Sequence, residues 1–252
     1  VSFQVMQGEL FAVIGPNGAG KTSLFNVLSR IYQPVAGKVH FDRRDLLKLK
    51  TPQVARVGIA RTFQNLGQFP TTTVLDYLLL GRHTRMYSGI LRGGIYLGMT
   101  LKEEKKNRAY CLHLLDLLGL RRYSTEALGR LPYGLQKRAD LARALALEPK
   151  LLLLDEPVAG MSLEETEDIA TAILDIKEQL GVTQILVEHD MAVVMGIADR
   201  ILVLDFGRVI AQGVPTEIQA NPDVIKAYLG EEFAGGAVDS TGTLSMPNDD
   251  SR

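Results

Sequence analysis

Tryptophan is absent from this 252-residue chain, cysteine occurs once, and aromatic residues make up only 6%. The lone Cys111 has no partner for an internal disulfide, so packing and hydrogen bonds must hold the fold, and a reducing compartment is expected. Charge of one sign is not in excess either: 28 basic side chains stand against 29 acidic ones, a net charge of −1. That excludes nucleic-acid binding driven by bulk positive charge. Long apolar runs are missing too. Stretches such as 10–14 and 151–154 fall far short of the roughly 18 residues of a spanning helix, so no membrane span is expected. No charged and apolar leader stands before the first strand, which adds to the expectation of a cytosolic chain. The first residue, Val1, is not Met, and a natural N-terminal piece is expected to be missing. What is present, 46% hydrophobic and 23% charged residues, is the composition of an ordinary globular protein with a sizeable core.

The alternating run at 1–5 reads as a strand, followed by a turn at Gln7-Gly8 and a buried strand at 10–14. Short strands are expected at 37–41 and 59–63. From Thr73 to Leu147 the periodicity turns helical, strongest at 74–80, 102–118 and 135–147, and this reads as a helical subdomain. Strand and helix then alternate: a strand at 151–154, a helix at 163–180, a strand at 184–187, a helix after Met191 and a strand at 201–204. That rhythm belongs to a parallel α/β sheet. Ser162 with Glu165 forms a capping-box pattern, and Pro222 after Asn221 suits the first turn of a last helix. Residues 87–101, with Arg92 and four glycines, read as a loop or insertion rather than a membrane segment, and residues 231–252, rich in small and polar types, read as a disordered tail.

Gly15-Pro16-Asn17-Gly18-Ala19-Gly20-Lys21-Thr22 matches G-x-x-x-x-G-K-[ST] between a strand and a helix, the context that motif requires. Its glycines let successive N–H groups turn toward phosphate oxygens, and the following helix adds its positive end. Lys21 is placed to reach the β and γ phosphates and the Thr22 hydroxyl to ligate Mg²⁺. At the end of the strand 151–154, Asp155 and Glu156 stand side by side. Adjacent strand residues point to opposite faces, so Asp155 suits the metal's contacts and Glu156 the polarising of an attacking water. His189, after the strand 184–187, and Gln64, after 59–63, carry little signal alone; His40, His83 and His113 read as structural.

In this order, residues 15–22, Gln64, 131–138, 151–157 and His189 resemble the ATPase subunit of an ABC transporter, over nearly the whole chain through Gly230. Arg61-Thr62-Phe63-Gln64-Asn65, Val187-Glu188-His189-Asp190-Met191 with Val194-Met195-Gly196, and residues 221–230 are similar to the branched-chain amino acid importer branch. The resemblance implies an α/β P-loop NTPase core over 1–230 with a parallel sheet, an N-terminal antiparallel β portion and a helical subdomain at about 73–147. It implies ATP and Mg²⁺ as cofactors, with Gly15 to Thr22 and Ser23 on the nucleotide. Thr22, Gln64 and Asp155 are implied as metal ligands, Glu156 as catalytic base and His189 as a switch touching the γ-phosphate.

One motif departs from the family. Where Leu-Ser-Gly-Gly-Gln is usual, this chain has Leu131-Pro132-Tyr133-Gly134-Leu135, so the signature serine is missing while Gly134 keeps the close backbone approach. Tyr133 and Gly134 are expected to cap the nucleotide of a second, identical or related ATPase subunit, packed head to tail. The family's adenine-stacking aromatic lies upstream of the first strand, beyond Val1, and Phe3 reads as core. Two permease subunits and an external substrate-binding protein are the further implied partners, with the chain peripheral on the cytoplasmic membrane face. An importer for amides or urea, or a lipid or lipopolysaccharide exporter, would use the same site chemistry; a GTPase is disfavoured because no Asn-Lys-x-Asp guanine reader is present, and a non-transport ABC protein because only one cassette is.

Overall fold

The computed structural model describes residues 1–63, 69–82 and 97–235. Its centre is a six-stranded sheet formed by β1 (Leu10–Ile14), β4 (Ile59–Arg61), β5 (Leu151–Asp155), β6 (Thr183–Val187), β7 (Arg200–Asp205) and β8 (Arg208–Gly213), in the order β4-β5-β6-β1-β7-β8. All neighbouring pairs are parallel except β7–β8, a hairpin at the edge. A second, two-stranded antiparallel sheet joins β2 (His40–Phe41) to β3 (Arg44–Asp45).

The continuous apolar composition of β1 and β5 follows from burial on both faces. Phe11, Val13, Leu151 and Leu153 face one layer with Phe25 and Leu28 of α1 (Lys21–Leu28) and Val54 of α2 (Thr51–Val57). Leu10, Ala12, Ile14, Leu152 and Leu154 face the other. That layer holds α3 (Val74–Arg82), α4 (Leu97–Leu117), α5 (Tyr133–Leu145), α6 (Leu163–Leu180) and α7 (Met191–Ile197), and its buried side chains run without a break from the sheet to Tyr77, Leu114 and Leu141. Each fully buried Leu, Ile or Phe contributes about 2 kcal/mol relative to exposure. The chain closes with α8 (Pro215–Gln219) and α9 (Pro222–Gly235).

One expected strand is absent. Residues 1–6 form no strand: their alternation has no neighbouring strand to pair with, although Phe3 does stack on Phe11 at 5.4 Å, as a core residue would. The antiparallel N-terminal portion is accordingly reduced, among the described residues, to the β2–β3 hairpin. The main sheet is parallel as expected apart from one antiparallel edge strand, where Phe206 and Gly207 adopt positive φ and turn β8 back along β7. The helix α9 runs to Gly235; the rest of the tail and most of residues 87–101 lie outside the described residues.

Registry places the functional ends level. Asp155 pairs with Val187, and Val187 with Val13, so the loops that follow β5, β6 and β1 leave one edge of the sheet together. In an open α/β sheet ligands bind at this carboxyl edge.

Candidate functional site

The loop after β1 is built from conformations that few side chains tolerate. Gly15 has φ +147°, and a Cβ there would collide with the Leu204 carbonyl of β7. Ala19 donates its N–H to the Pro16 carbonyl at 3.1 Å, and Gly207 donates to the Ala19 carbonyl at 3.0 Å, so the β7–β8 turn braces the loop from behind. Gly20, at φ +101°, opens α1 and makes no side-chain cap, which leaves the N–H groups of the first turn facing the loop. Buried Lys21 donates from Nζ to the carbonyls of Gly15 at 2.5 Å and Pro16 at 3.0 Å, holding the ammonium inside the loop. Asn17, Gly18, Thr22 and Ser23 are exposed beside it. The result is a cationic cradle of backbone donors at a helix N-terminus, suited to a polyphosphate.

Asp155 ends β5 and is only 1% exposed. Its Oδ2 accepts from the Arg61 guanidinium at 2.5 Å, while Oδ1 is buried with no hydrogen-bond partner. Arg61 also donates to Asn26 Oδ1 at 2.8 Å and Ser29 Oγ at 3.3 Å and lies over the Phe25 ring, so α1, β4 and β5 meet at one side chain. An unsatisfied buried carboxylate oxygen is the chemistry of a hard-cation ligand, and with the Thr22 hydroxyl it makes a donor set that fits Mg²⁺. Glu156, the next residue, has φ +47°, a left-handed conformation unusual for a side chain of its size, and its N–H donates to the Val187 carbonyl at 2.9 Å. Such strain persists only where neighbours hold it and clusters at functional sites.

His189 follows β6 with an exposed imidazole. Beside it Glu188 is fully buried. Its Oε1 accepts from the Val158 N–H at 2.9 Å and its Oε2 from the His189 N–H at 3.0 Å. Burial pushes the Glu188 carboxyl above the usual carboxylate range, against the pull of the Val158, His189 and Asp190 N–H groups and the His189 imidazole.

Tyr133 and Gly134 lie in a second locality, at the start of α5, where Pro132 is the N-cap and offers no side-chain oxygen. Gly134 donates its N–H to Glu165 Oε1 at 3.2 Å, and the Lys137 ammonium stands over the Tyr133 ring. Gln64 lies outside the described residues, but its approach is firmly built: Thr62 donates its N–H to the Leu153 carbonyl at 3.0 Å and Phe63 donates to Asp140 Oδ2 at 2.5 Å. The structure thus brings the 15–22 loop, Asp155, Glu156 and His189 to one sheet edge. Arg61 and Glu188 stand within the segments that carry the resemblance, yet sequence reading gave neither a role; each is a charged residue at the end of an apolar strand.

Comparison with known proteins agrees with this geometry. The ABC transporter family model matches residues 1–159, and the model of the branched-chain amino acid ATP-binding cassette transporter matches residues 208–234. The chain belongs to the ABC transporter family. It is 38% identical over 231 residues to the high-affinity branched-chain amino acid transport ATP-binding protein BraF of Pseudomonas aeruginosa, covering 92% of this chain and 91% of that protein. Against LivG of Escherichia coli, which carries the same description, identity is 37% with the same coverage. Among solved structures, the ADP conformation of the ABC transporter cassette MJ1267 superimposes with TM-score 0.79 at 30% identity, over 91% of both chains. The dimeric cassette MJ0796 gives TM-score 0.69 at 25% identity, over 84% of this chain and 88% of that one. This ABC cassette is therefore a nucleotide-binding, ATP-hydrolysing transporter subunit, and none of its described helices is long and apolar enough to cross a membrane.

Proposed function

We propose that this cassette energises import of branched-chain amino acids, and that residues 15–23 hold the triphosphate while Glu156 orients the attacking water. The match of residues 208–234 to the branched-chain cassette family carries the importer reading, and the meeting of the 15–22 loop with Asp155, Glu156 and His189 at one sheet edge supports the chemistry. Lys21 offsets negative charge on the β and γ phosphates, and the α1 N-terminus adds its dipole. Glu156 accepts the proton of the water that attacks the γ-phosphorus in line with the leaving oxygen. His189 fixes the γ-phosphate from the β6 side, and Gln64 links the site to the membrane subunits. Thr22, Asp155 and Gln64 would hold Mg²⁺, which when bound would offset the negative charge of the phosphates.

Tyr133 and Gly134 cap the nucleotide of a second cassette, identical or related, in a head-to-tail dimer; a dimeric relative supports that arrangement. The other partners are two membrane-spanning permease subunits on whose cytoplasmic side the cassette sits, and a substrate-binding protein outside. Purification in mild detergent with its co-expressed permeases tests this assembly. ATP hydrolysis stimulated by a leucine-loaded binding protein is expected. Stimulation only by an amide- or urea-loaded one reassigns the cargo, and recovery with exporter subunits overturns the importer reading.

A further inference from the structure

We propose that Glu188 is a positioning residue for ATP hydrolysis: one buried carboxylate, with an oxygen on each of two loops, fixes the distance between the backbone after Glu156 and the backbone of His189. The proposal rests on the roles assigned above to Glu156 and His189.

The strands β5 and β6 are held together by their ladder up to the pair Asp155–Val187, and the Glu156 N–H on the Val187 carbonyl is the last rung. Beyond it the chains separate into the two loops that carry the site. There the Glu188 side chain takes over the work of the ladder. It accepts the Val158 N–H at 2.9 Å on Oε1, two residues after Glu156, and the His189 N–H at 3.0 Å on Oε2. Glu156 is consequently held on both sides of its strained residue, by Val187 before it and through Val158 after it. A left-handed backbone at a non-glycine residue relaxes unless it is held in this way.

The chemistry required is specific to a carboxylate. Two N–H donors arriving from different loops need two acceptor oxygens on one rigid group, and neither a hydroxyl nor an amide offers that. The side chain is fully buried, and a buried carboxylate is costly unless its oxygens are occupied; both are. Glu188 touches neither the 15–22 loop nor Asp155 through any hydrogen bond found among the described residues, so its influence on turnover must pass through Glu156 and His189.

The test is a split between turnover and binding. Glu188→Gln keeps the volume but exchanges one acceptor oxygen for an NH₂ donor that opposes a backbone N–H. In the purified cassette its kcat is expected to fall about tenfold while the KM and Kd for Mg-ATP stay within about twofold. In a Glu156→Gln background the same change adds no further loss to the single-turnover rate, because both act on one step. Val158→Pro, which removes one donor and leaves Glu188 in place, is expected to give the same split and serves if Glu188→Gln does not fold. A folded Glu188→Gln with wild-type kcat overturns the proposal, as do fully additive losses in the double variant, or a kcat, Kd and unfolding midpoint that all fall together. Wild-type protein without ATPase activity, or a fully active Glu156→Gln, overturns the functional reading and this proposal with it. An active wild type and a silent Glu156→Gln beside an unaffected Glu188→Gln overturn this proposal alone.

Discussion

The Arg61 guanidinium meets the Asp155 carboxylate at 2.5 Å and ties the end of β4 to the strand that delivers Glu156. Asp155 is 1% exposed, and Arg61 is the cation paired with it. Removing one member of a buried pair leaves an uncompensated charge, which costs far more than the pair contributes. Arg61→Ala is expected to destabilise the fold by about 3 kcal/mol. Adding Asp155→Asn should recover part of that loss, and urea unfolding of the single and double variants checks the sign.

The loop geometry separates two glycines. At Gly15 a Cβ would run into the Leu204 carbonyl, whereas at Gly18 nothing stands within 4 Å and only the positive φ opposes a side chain. Gly18→Ala should therefore cost about 1 kcal/mol and leave a functional loop. Gly15→Ala should displace the loop and weaken ATP binding at least about tenfold, or about 1.4 kcal/mol. Titration with a fluorescent ATP analogue distinguishes the two.

Glu165 links the cap of α6 to the start of α5. Its carboxyl lies below its usual value because it accepts from the Ser162 N–H and hydroxyl and from the Gly134 N–H. A lowered folded-state value favours the folded protein once the carboxylate is ionised in both states, and the advantage is lost as pH falls through the folded value. The difference in Tm between wild type and Glu165→Gln is thus expected to be full at neutral pH and to shrink below about pH 4. An unchanged difference at pH 3 would contradict the assignment.

Cys111 offers a probe of the helical layer. It is fully buried, and burial pushes its thiol up to about 11. Only the thiolate reacts with alkylating agents, so native protein at pH 8 should resist iodoacetamide and become labelled in denaturant. Rapid labelling without denaturant would show that α4 opens locally.

Much of this molecule was legible before its structure. Continuous apolar runs marked β1 and β5, a capping box placed α6 at its observed start, and the phosphate loop announced itself by spacing. β8 was not legible, because it lies at an edge where Ala211 is its one buried residue, so no alternation marks it. The apparent strand at 1–5 failed for the opposite reason: alternation is present but the hydrogen-bonding neighbour is not. The roles of Arg61 and Glu188 were beyond reach because they are pairings, over 94 and 30 residues of chain, that only the sheet order creates.

The central claim is that Glu156, at the carboxyl edge of β5, drives hydrolysis of ATP held by residues 15–23. Phosphate release from Mg-ATP by the purified cassette, wild type against Glu156→Gln, tests it most directly. The account predicts that Glu156→Gln loses at least about 100-fold in kcat while binding ATP with wild-type affinity. Phosphate release by Glu156→Gln at the wild-type rate would contradict it.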